Sequence, residues 1–326
     1  MRRAWLSLVS AGIILVFVLA SFPVEAKITW KLGHLTNEQH IWHRTALKFA
    51  ELVKAKTGGE IEITIYPNEQ LGKEIEVLNM IQAGTAELTI SGESMQNWAP
   101  KAALIAAPYA FRSIDHMIKA ITGDIGKEIA NEIGEKVKVI PLIYHIRSPR
   151  NLTSNKPVSK PEDVKGLRLR LPNVPLFVEA WKAVGAIPVV MAFSEVFTAL
   201  QQGVIDAQEN PYDLIYNASF YEVQKYVNET EHVIGWVWTV LGKKQFESLS
   251  KELQKAVLEA AQEAQVYAND LFYKEIPPIK QKLIEKGMTI NSNVDKAAFQ
   301  KIMSQAVERV LKPEQADLYK RIQALQ

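Results

Sequence analysis

The sequence predicts an α/β protein built as two lobes with largely parallel sheets. Strand-like stretches alternate with helix-period stretches in both halves of the 326-residue chain, the pattern of parallel strands joined by right-handed crossovers. Residues 147–160, rich in Ser, Pro, Asn and Lys, separate the two blocks. A long helical stretch follows the second block. This order indicates more than one crossing between lobes, with a cleft where they meet.

The first half of the chain predicts a βαβαβ unit followed by one more helix and strand. Apolar and polar residues alternate over 28–32 and 61–65. Apolar residues recur at helical spacing from Trp42 to Val53, and Gly84 ends a second helical stretch. The predicted strands are 28–32, 61–65, 86–90 and 137–144, and the predicted helices are 42–53, 74–83 and 114–135.

The second half opens on the block from Gly166 to Pro211. Leu167 to Leu171 alternates apolar and basic residues up to Pro172, which indicates a strand. Ser250 is a typical N-cap for the longest helical run, and Pro277-Pro278 must break it. The predicted strands are 167–171, 187–190, 204–208 and 232–241. The predicted helices are 177–184, 194–203, 212–220 and 251–276, with amphipathic pieces at 279–286, 294–311 and 314–325.

The N-terminus predicts a secretory signal peptide over residues 1–26. Met1-Arg2-Arg3 precedes an apolar run at 13–20 that is too short to span a membrane, and cleavage is expected after Ala26. The chain has no cysteine and a net charge of +2. We therefore expect a freely soluble mature protein, not embedded in the membrane, with no nucleic-acid partner.

The residue pattern by itself places two polar side chains at the ends of strands. Arg170 lies near the end of one predicted strand, and Asn210 follows another. In parallel sheets ligands bind beyond the carboxyl ends of the strands. A guanidinium gives two parallel N–H bonds and an amide adds a third donor, so this pair would suit a carboxylate. Arg147 and Arg168 are interpreted as ordinary solvated charges.

Several motifs together resemble one protein family. The sequence is similar to the substrate-binding proteins of tripartite ATP-independent periplasmic (TRAP) transporters, the DctP-like family, along nearly all of the mature chain. The resemblance rests on MAFSEVFTALQQGVIDAQENP at 191–211, GLRLRLP at 166–172, RNLTSN at 150–155, Tyr66-Pro67 with Gln70-Leu71-Gly72, and the early strand ending at Gly33.

The resemblance implies a periplasmic binding protein fold of two α/β lobes, joined by hinge strands and a long helix spanning both. It assigns residues 27–147 plus 236–276 to lobe I and residues 148–235 plus 277–326 to lobe II. The long helix, from Lys251 to Ile276, would be the one that crosses both lobes.

The resemblance also implies roles for four residues. Arg170 matches the family's carboxylate-binding arginine, and Arg150 matches a second arginine near the site. Asn210 matches the amide that helps to hold the same carboxylate, and Phe193 an aromatic residue that packs against the ligand. From the pattern alone, Asn210 is equally a turn residue before Pro211 and Phe193 a core residue.

Candidate ligand contacts in lobe I are His40, Trp42, Glu74, Glu93 and Trp236. Each has a competing structural role: Trp42 continues an apolar helix stripe, Trp236 shares a strand face with Trp238, and the two glutamates could face solvent. A carboxylate in the cleft would repel a second ligand carboxylate and favour a hydroxyl or amine. Because the positions around the first-lobe strand ends hold mainly aromatic and apolar residues, we expect an acid with an aromatic or apolar body.

The resulting functional hypothesis is a periplasmic receptor that closes on a small organic acid, expected to be a monocarboxylate, and delivers it to the small and large TRAP membrane subunits. No cofactor is expected. A metal site at His34, His40 and His43 lacks a completing carboxylate. A secreted hydrolase or lyase is the enzymatic alternative, but common nucleophile, zinc and phosphate-loop motifs are absent from the sequence. A sensory receptor for a signalling partner would share the same fold and site.

Overall fold

The computed structural model describes residues 27–326, so the predicted signal peptide lies outside the described residues. The strands are β1 Ile28–Gly33, β2 Ile61–Tyr66, β3 Leu88–Ser91, β4 Val139–Ile146, β5 Arg150–Ser154, β6 Arg168–Leu171, β7 Ile187–Val190, β8 Ala207–Pro211, β9 Tyr226–Val233, β10 Trp236–Gly242 and β11 Thr289–Asn291. The α-helices are α1 Ile41–Lys56, α2 Glu74–Ala83, α3 Ile114–Thr122, α4 Asp124–Lys136, α5 Pro175–Ala183, α6 Val196–Gln201, α7 Tyr212–Asn217, α8 Lys243–Glu247, α9 Lys251–Glu275, α10 Ile279–Glu285, α11 Lys296–Val310 and α12 Pro313–Ala324.

The first lobe is built on a five-stranded sheet of order β2-β1-β3-β10-β4. β1 pairs in parallel with β2 and β3, as the predicted βαβαβ unit requires. The apolar stripe of α1, including Trp42, Phe49 and Val53, is buried. β10 enters between β3 and β4 and is antiparallel to both. The sheet is therefore mixed, because one of its strands arrives from the later part of the chain.

The second lobe is built on a six-stranded sheet of order β11-β9-β5-β8-β6-β7. β6 is parallel to β7 and β8, whereas β5 is antiparallel to both of its neighbours. β5 lies inside the segment 147–160, where the sequence predicted a boundary without a strand. All five of its residues are buried, and four of them are polar, so it lacks the apolar alternation that reveals a strand.

Two short connections join the sheets. Residues 147–149 link β4 to β5, and residues 234–235 link β9 to β10. The connections touch each other, since the backbone N–H of Arg147 donates to the carbonyl of Gly235 at 3.2 Å. A β-carbon on Gly235 would lie 2.6 Å from the carbonyl oxygen of Ile105. Glycine is therefore needed where this hinge passes the first lobe.

Helix α9 begins where the sequence predicted, because the Ser250 hydroxyl accepts a hydrogen bond from the Leu253 N–H at 3.2 Å. Its 25 residues pack against α1 and β4 of the first lobe. After Pro277 and Pro278 the chain continues as α10, which packs against α7 of the second lobe. Within residues 27–326, no helix combines the length and apolar character that a membrane crossing requires.

Several elements differ from their predicted form. The strand predicted at 232–241 is interrupted at 234–235, between β9 and β10. The helix predicted at 114–135 is two helices that meet at Gly123. The strand predicted at 204–208 is β8, which starts three residues later, so Asn210 lies within the strand. The last helix, α12, packs against α4 and the 3₁₀ segment Pro100–Ala106 of the first lobe, whereas the sequence assigned all of 277–326 to lobe II.

Candidate functional site

A cavity of about 460 Å³ lies between the two lobes. The first lobe lines it with residues that follow β1, β2 and β3, and the second lobe with residues at the ends of β6, β7 and β8. The hinge contributes Arg147 and Arg150. Both sheets thus direct the carboxyl ends of parallel strands at one space, the position where ligands bind in such sheets.

Arg170, near the end of β6, is a buried cation on the second-lobe wall, with only 3% of its surface exposed. Its Nε and Nη2 donate to the carbonyl of Met191 at 3.1 and 2.8 Å. Among residues 27–326, Arg147, Arg150 and Arg168 form ion pairs, but Arg170 forms none. Burial lowers the pKa of Arg170 to about 10, against the opposing influence of Glu209. The guanidinium is therefore charged at neutral pH and can accept an anion.

Arg150 also reaches the cavity, but its charge is already paired. Nε and Nη2 donate to the two carboxylate oxygens of Glu209 at 2.5 and 2.6 Å, and the guanidinium carbon lies 5.3 Å from the Phe177 ring centre. Burial would raise the pKa of Glu209, but Arg150 and His232 hold it at about 2. His232 Nε2 lies 2.9 Å from Glu209. These three residues form a buried, charge-balanced support beside Arg170.

Asn210 lines the cavity from β8 and is buried. Its side-chain nitrogen donates to Gln208 Oε1 at 2.7 Å, and Gln208 in turn donates to the Thr153 hydroxyl at 2.9 Å. This chain of hydrogen bonds fixes the amide plane. One N–H of Asn210 is used within the protein, which leaves its second N–H as the donor that can face a ligand.

Phe193 lies on the same wall, in the 3₁₀ turn Phe193–Glu195 after β7. Its ring meets the Phe220 ring edge-on at a centroid distance of 5.8 Å. The Arg170 guanidinium carbon lies 5.9 Å from the Phe193 ring centre. Packing on two sides holds the ring next to the arginine that the sequence placed at the site.

The first-lobe wall contains a second ion pair. Arg147 Nη1 donates to both carboxylate oxygens of Glu93, at 3.0 and 3.2 Å. The guanidinium carbon of Arg147 lies 5.9 Å from the Trp42 ring centre. Arg147, Glu93 and Trp42 are all buried and all line the cavity. The sequence interpretation of Arg147 as a solvated charge is therefore wrong, because the hinge turns its side chain inward.

Glu74, at the start of α2, completes this wall. Its carboxyl accepts a hydrogen bond from the Ser91 hydroxyl at 2.6 Å. Burial raises the pKa of Glu74 to about 7, and the negative charge of Glu93 raises it further, while Ser91 opposes both. A carboxyl with this pKa is partly protonated near neutral pH, so it can donate as well as accept a hydrogen bond.

Two predicted contact residues lie away from the cavity wall. His40 is buried behind Trp42, where its Nε2 lies 3.0 Å from Asp213 Oδ2 and its Nδ1 accepts from the Trp42 N–H at 3.1 Å. Its sequence position at the start of α1 is correct, but capping the helix turns the ring toward α7. Trp236 is fully buried between Phe111 and Trp238, because the side chain points from β10 into the core of the first lobe.

The three N-terminal histidines pair with different partners. His34 Nε2 lies 3.1 Å from His43 Nδ1, whereas His40 contacts Asp213. Burial lowers the pKa of His34 to about 3 and also lowers the pKa of His43. Over the described range 27–326, no group of three or more potential metal ligands has a geometry suited to an ion.

The mouth of the cavity is bridged by residues that the sequence did not indicate. Lys73 of the first lobe forms an ion pair with Glu195 of the second, and the Ser194 N–H lies 3.3 Å from Glu69 Oε2. Glu69 and Lys73 also line the cavity. Both residues lie in the loop after β2, and in the sequence this loop resembles an ordinary solvent-exposed turn with charged side chains. Only the strand-end position after β2 could have indicated their role.

Two α/β lobes that meet through a double hinge, with a buried cation that has no ion-pair partner in residues 27–326 facing the space between them, define a solute receptor of the periplasmic binding type. Residues 32–314 match the family model described as bacterial extracellular solute-binding protein, family 7. The chain belongs to this family.

Solved structures and curated relatives agree with this assignment. A TRAP periplasmic solute binding protein from Roseobacter denitrificans, solved with bound L-galactonate, is 48% identical with a TM-score of 0.89, covering 91% of this chain and 98% of that one. The 2,3-diketo-L-gulonate-binding periplasmic protein of Escherichia coli is 32% identical, covering 94% of this chain and 96% of its own. A TRAP periplasmic solute binding protein from Sulfurospirillum deleyianum, solved with bound succinate, is 29% identical with a TM-score of 0.87. The match covers 92% of this chain and 100% of that one.

The relatives do not support the expected aromatic or apolar ligand body. L-Galactonate and 2,3-diketo-L-gulonate are polar sugar acids, named for those two proteins. The first-lobe wall is mixed in polarity: Glu74, Glu93 and Arg147 line it together with apolar side chains such as Leu35, Trp42 and Val237. Trp236, which the sequence analysis counted among the aromatic contacts, is instead buried in the core of the first lobe.

Proposed function

We propose that this protein is a periplasmic receptor for a hydroxylated monocarboxylic acid of the sugar-acid class, which it delivers to a TRAP membrane complex. The single observation behind the proposal is the buried Arg170 in the cavity between the lobes, which forms no ion pair with any residue of the described chain. The ligand carboxylate takes the place that a protein carboxylate would otherwise fill. Asn210 adds a donor, and Phe193 packs against the ligand beside Arg170.

The charges around the cavity favour one carboxylate on the ligand. Arg150 is neutralised by Glu209, Arg147 by Glu93 and Lys73 by Glu195. Among the arginines that line the cavity, Arg170 is the one without an ion-pair partner in residues 27–326, and the ligand carboxylate would fill that place. A buried charge without a partner is costly, so the ligand and the receptor should reach neutrality together.

The membrane partners and the location are proposed from the family. A solute receptor of this kind acts after export, which the N-terminal signal sequence would direct, and meets the small and large membrane subunits there. No turnover of the ligand is proposed. The sensory alternative shares the same site, and deletion of the gene separates the two roles: loss of uptake supports transport, whereas loss of induction alone supports sensing.

A thermal-shift screen tests the proposed ligand class. The panel pairs L-galactonate, a branched 2-oxo acid and an aromatic hydroxy acid with their amides. A ligand at 1,000 times its Kd stabilises the native state by about 4 kcal/mol, which raises the Tm by several degrees at this chain length. A shift with L-galactonate but not with its amide supports the proposal. A shift with the aromatic acid alone, or with no acid once carried-over ligand is removed, contradicts it.

A further inference from the structure

We infer that Arg147 and Glu93 form a hydroxyl-binding pair that reads the carbon chain of the ligand and disfavours a second carboxylate there. The inference rests on the proposed function, because it takes the carboxylate to be bound by Arg170. It assigns substrate specificity to the first-lobe wall, opposite the carboxylate site.

The hydrogen-bonding capacity of the pair supports this role. Arg147 engages Glu93 through Nη1 only, although a guanidinium has five N–H donors. Within residues 27–326, its Nη2 has no protein acceptor, and its Nε is buried without one. Each oxygen of Glu93 accepts one bond from Arg147 and keeps capacity for another. The pair therefore offers both a donor and acceptors, which is what a hydroxyl group needs.

The surroundings keep the pair in place. The Trp42 ring lies beside the Arg147 guanidinium, and the backbone of Arg147 is bonded to Gly235 across the hinge. Glu93 stands in the 3₁₀ segment Glu93–Asn97 directly after β3. Both side chains are buried and held by these contacts, so their polar atoms are positioned before the ligand enters.

The charge of the wall argues against a second carboxylate. Glu93 is neutralised by Arg147, and the neighbouring Glu74 has no cation within ion-pair distance in the described chain. A ligand carboxylate placed here would meet Glu74 and would compete with Glu93 for Arg147. A neutral hydroxyl has neither penalty. A relative binds succinate, so a diacid is a meaningful competitor within this fold.

The experiment compares three six-carbon acids on the mature chain by calorimetry. L-Galactonate carries one carboxylate with hydroxyls, hexanoate one carboxylate without hydroxyls, and galactarate two carboxylates with hydroxyls. The variants are Glu93→Gln and the double variant R147M/E93Q, with Arg168→Gln as the control, because Arg168 pairs with Asp206 on the surface. We expect the double variant to lose at least about tenfold affinity for L-galactonate and to approach its own affinity for hexanoate.

In Glu93→Gln, the ratio of the affinity for L-galactonate to the affinity for galactarate should also fall. The control Arg168→Gln should keep the parent's affinities for all three acids. If the double variant keeps the parent's ratio of L-galactonate to hexanoate affinity, the inference is overturned. Should that happen while Arg170→Gln abolishes binding, only the hydroxyl-binding pair is wrong. If Arg170→Gln binds as the parent does, or the parent binds none of the three acids, the proposed function fails and the inference with it.

A second measurement needs no variant, in case the buried pair is required for folding. Monodeoxy analogues of L-galactonate are titrated into the parent protein. At least one position should cost about tenfold in affinity, because removing that hydroxyl leaves the charged pair unsatisfied. Equal affinity for every analogue overturns the inference.

Discussion

Arg150 and Glu209 lie diagonally across the antiparallel strands β5 and β8, where Glu209 is opposite Leu152, and both carboxylate oxygens of Glu209 accept hydrogen bonds from Arg150 at 2.5 and 2.6 Å. Arg170 on the next strand has no such partner among the described residues. The two arginines therefore differ in what they can offer a ligand. Arg150 supports the site with its charge already balanced, and Arg170 supplies the charge that an anion would balance.

Substitution of Arg170 should remove binding. In Arg170→Gln the carboxylate loses its cation in a closed cavity, and we expect affinity for L-galactonate to fall by at least about 100-fold. Arg170→Lys should also lose most of the affinity, because an ammonium cannot donate two parallel bonds. Calorimetry measures both, with the surface variant Arg168→Gln as control. Parent-like affinity in either variant would place the carboxylate elsewhere.

Substitution of Glu209 should act on stability as well. Glu209→Gln leaves Arg150 buried without a countercharge, so the free energy of unfolding should fall by about 3–5 kcal/mol. The double variant E209Q/R150M removes the uncompensated charge and should recover part of that loss. Urea unfolding followed by circular dichroism measures the three proteins. Equal stability of parent and Glu209→Gln would show that the pair makes no net contribution.

The affinity for the ligand carboxylate should fall as the pH rises through 7, because Glu74 then loses its proton. The pKa of Glu74 is about 7 in the folded protein against an ordinary value of 4.5, so the folded state favours the protonated carboxyl. Stability from this group is complete below pH 4.5 and is lost as the pH rises toward and past 7. Its ionisation also puts a negative charge near the bound anion.

We expect affinity for L-galactonate to fall about three- to tenfold between pH 6 and pH 8, the effect of a partly screened pair of like charges. Glu74→Gln should bind equally at both pH values. Calorimetry in matched buffers measures this, and the same pH slope in Glu74→Gln would assign the dependence to another group.

The ion pair at the mouth should influence release more than affinity. Lys73 and Glu195 are both about half exposed, and pairs of this kind are weak and screened by salt. Lys73→Gln should weaken binding by no more than about fivefold at low salt, with a faster off-rate. Stopped-flow measurements at two salt concentrations test this. A loss as large as that of Arg170→Gln would mean that Lys73 contacts the ligand directly.

The sequence predicted the parts of the site that depend on local order. The rule that ligands bind at strand ends predicted the position of Arg170 and Asn210, and both line the cavity. Their motifs predicted the family, which the family model confirmed. Arg147 was misread, because nothing local shows that a hinge turns its side chain inward. Glu209 was missed, because its partner Arg150 lies 59 residues away on a strand whose polar sequence shows no alternation. Such pairings depend on tertiary structure and not on periodicity.

The return of α12 to the first lobe determines where fluorescent labels must be placed to follow lobe closure. The described chain passes between the lobes at 147–149, at 234–235, after α9 and again after α11. An even number of passages leaves Lys27, before β1, and Gln326, after α12, on the same rigid body. A pair of fluorophores attached at the two ends would stay at a constant separation during closure. A useful reporter needs one dye on the second lobe, for example at the exposed Lys165.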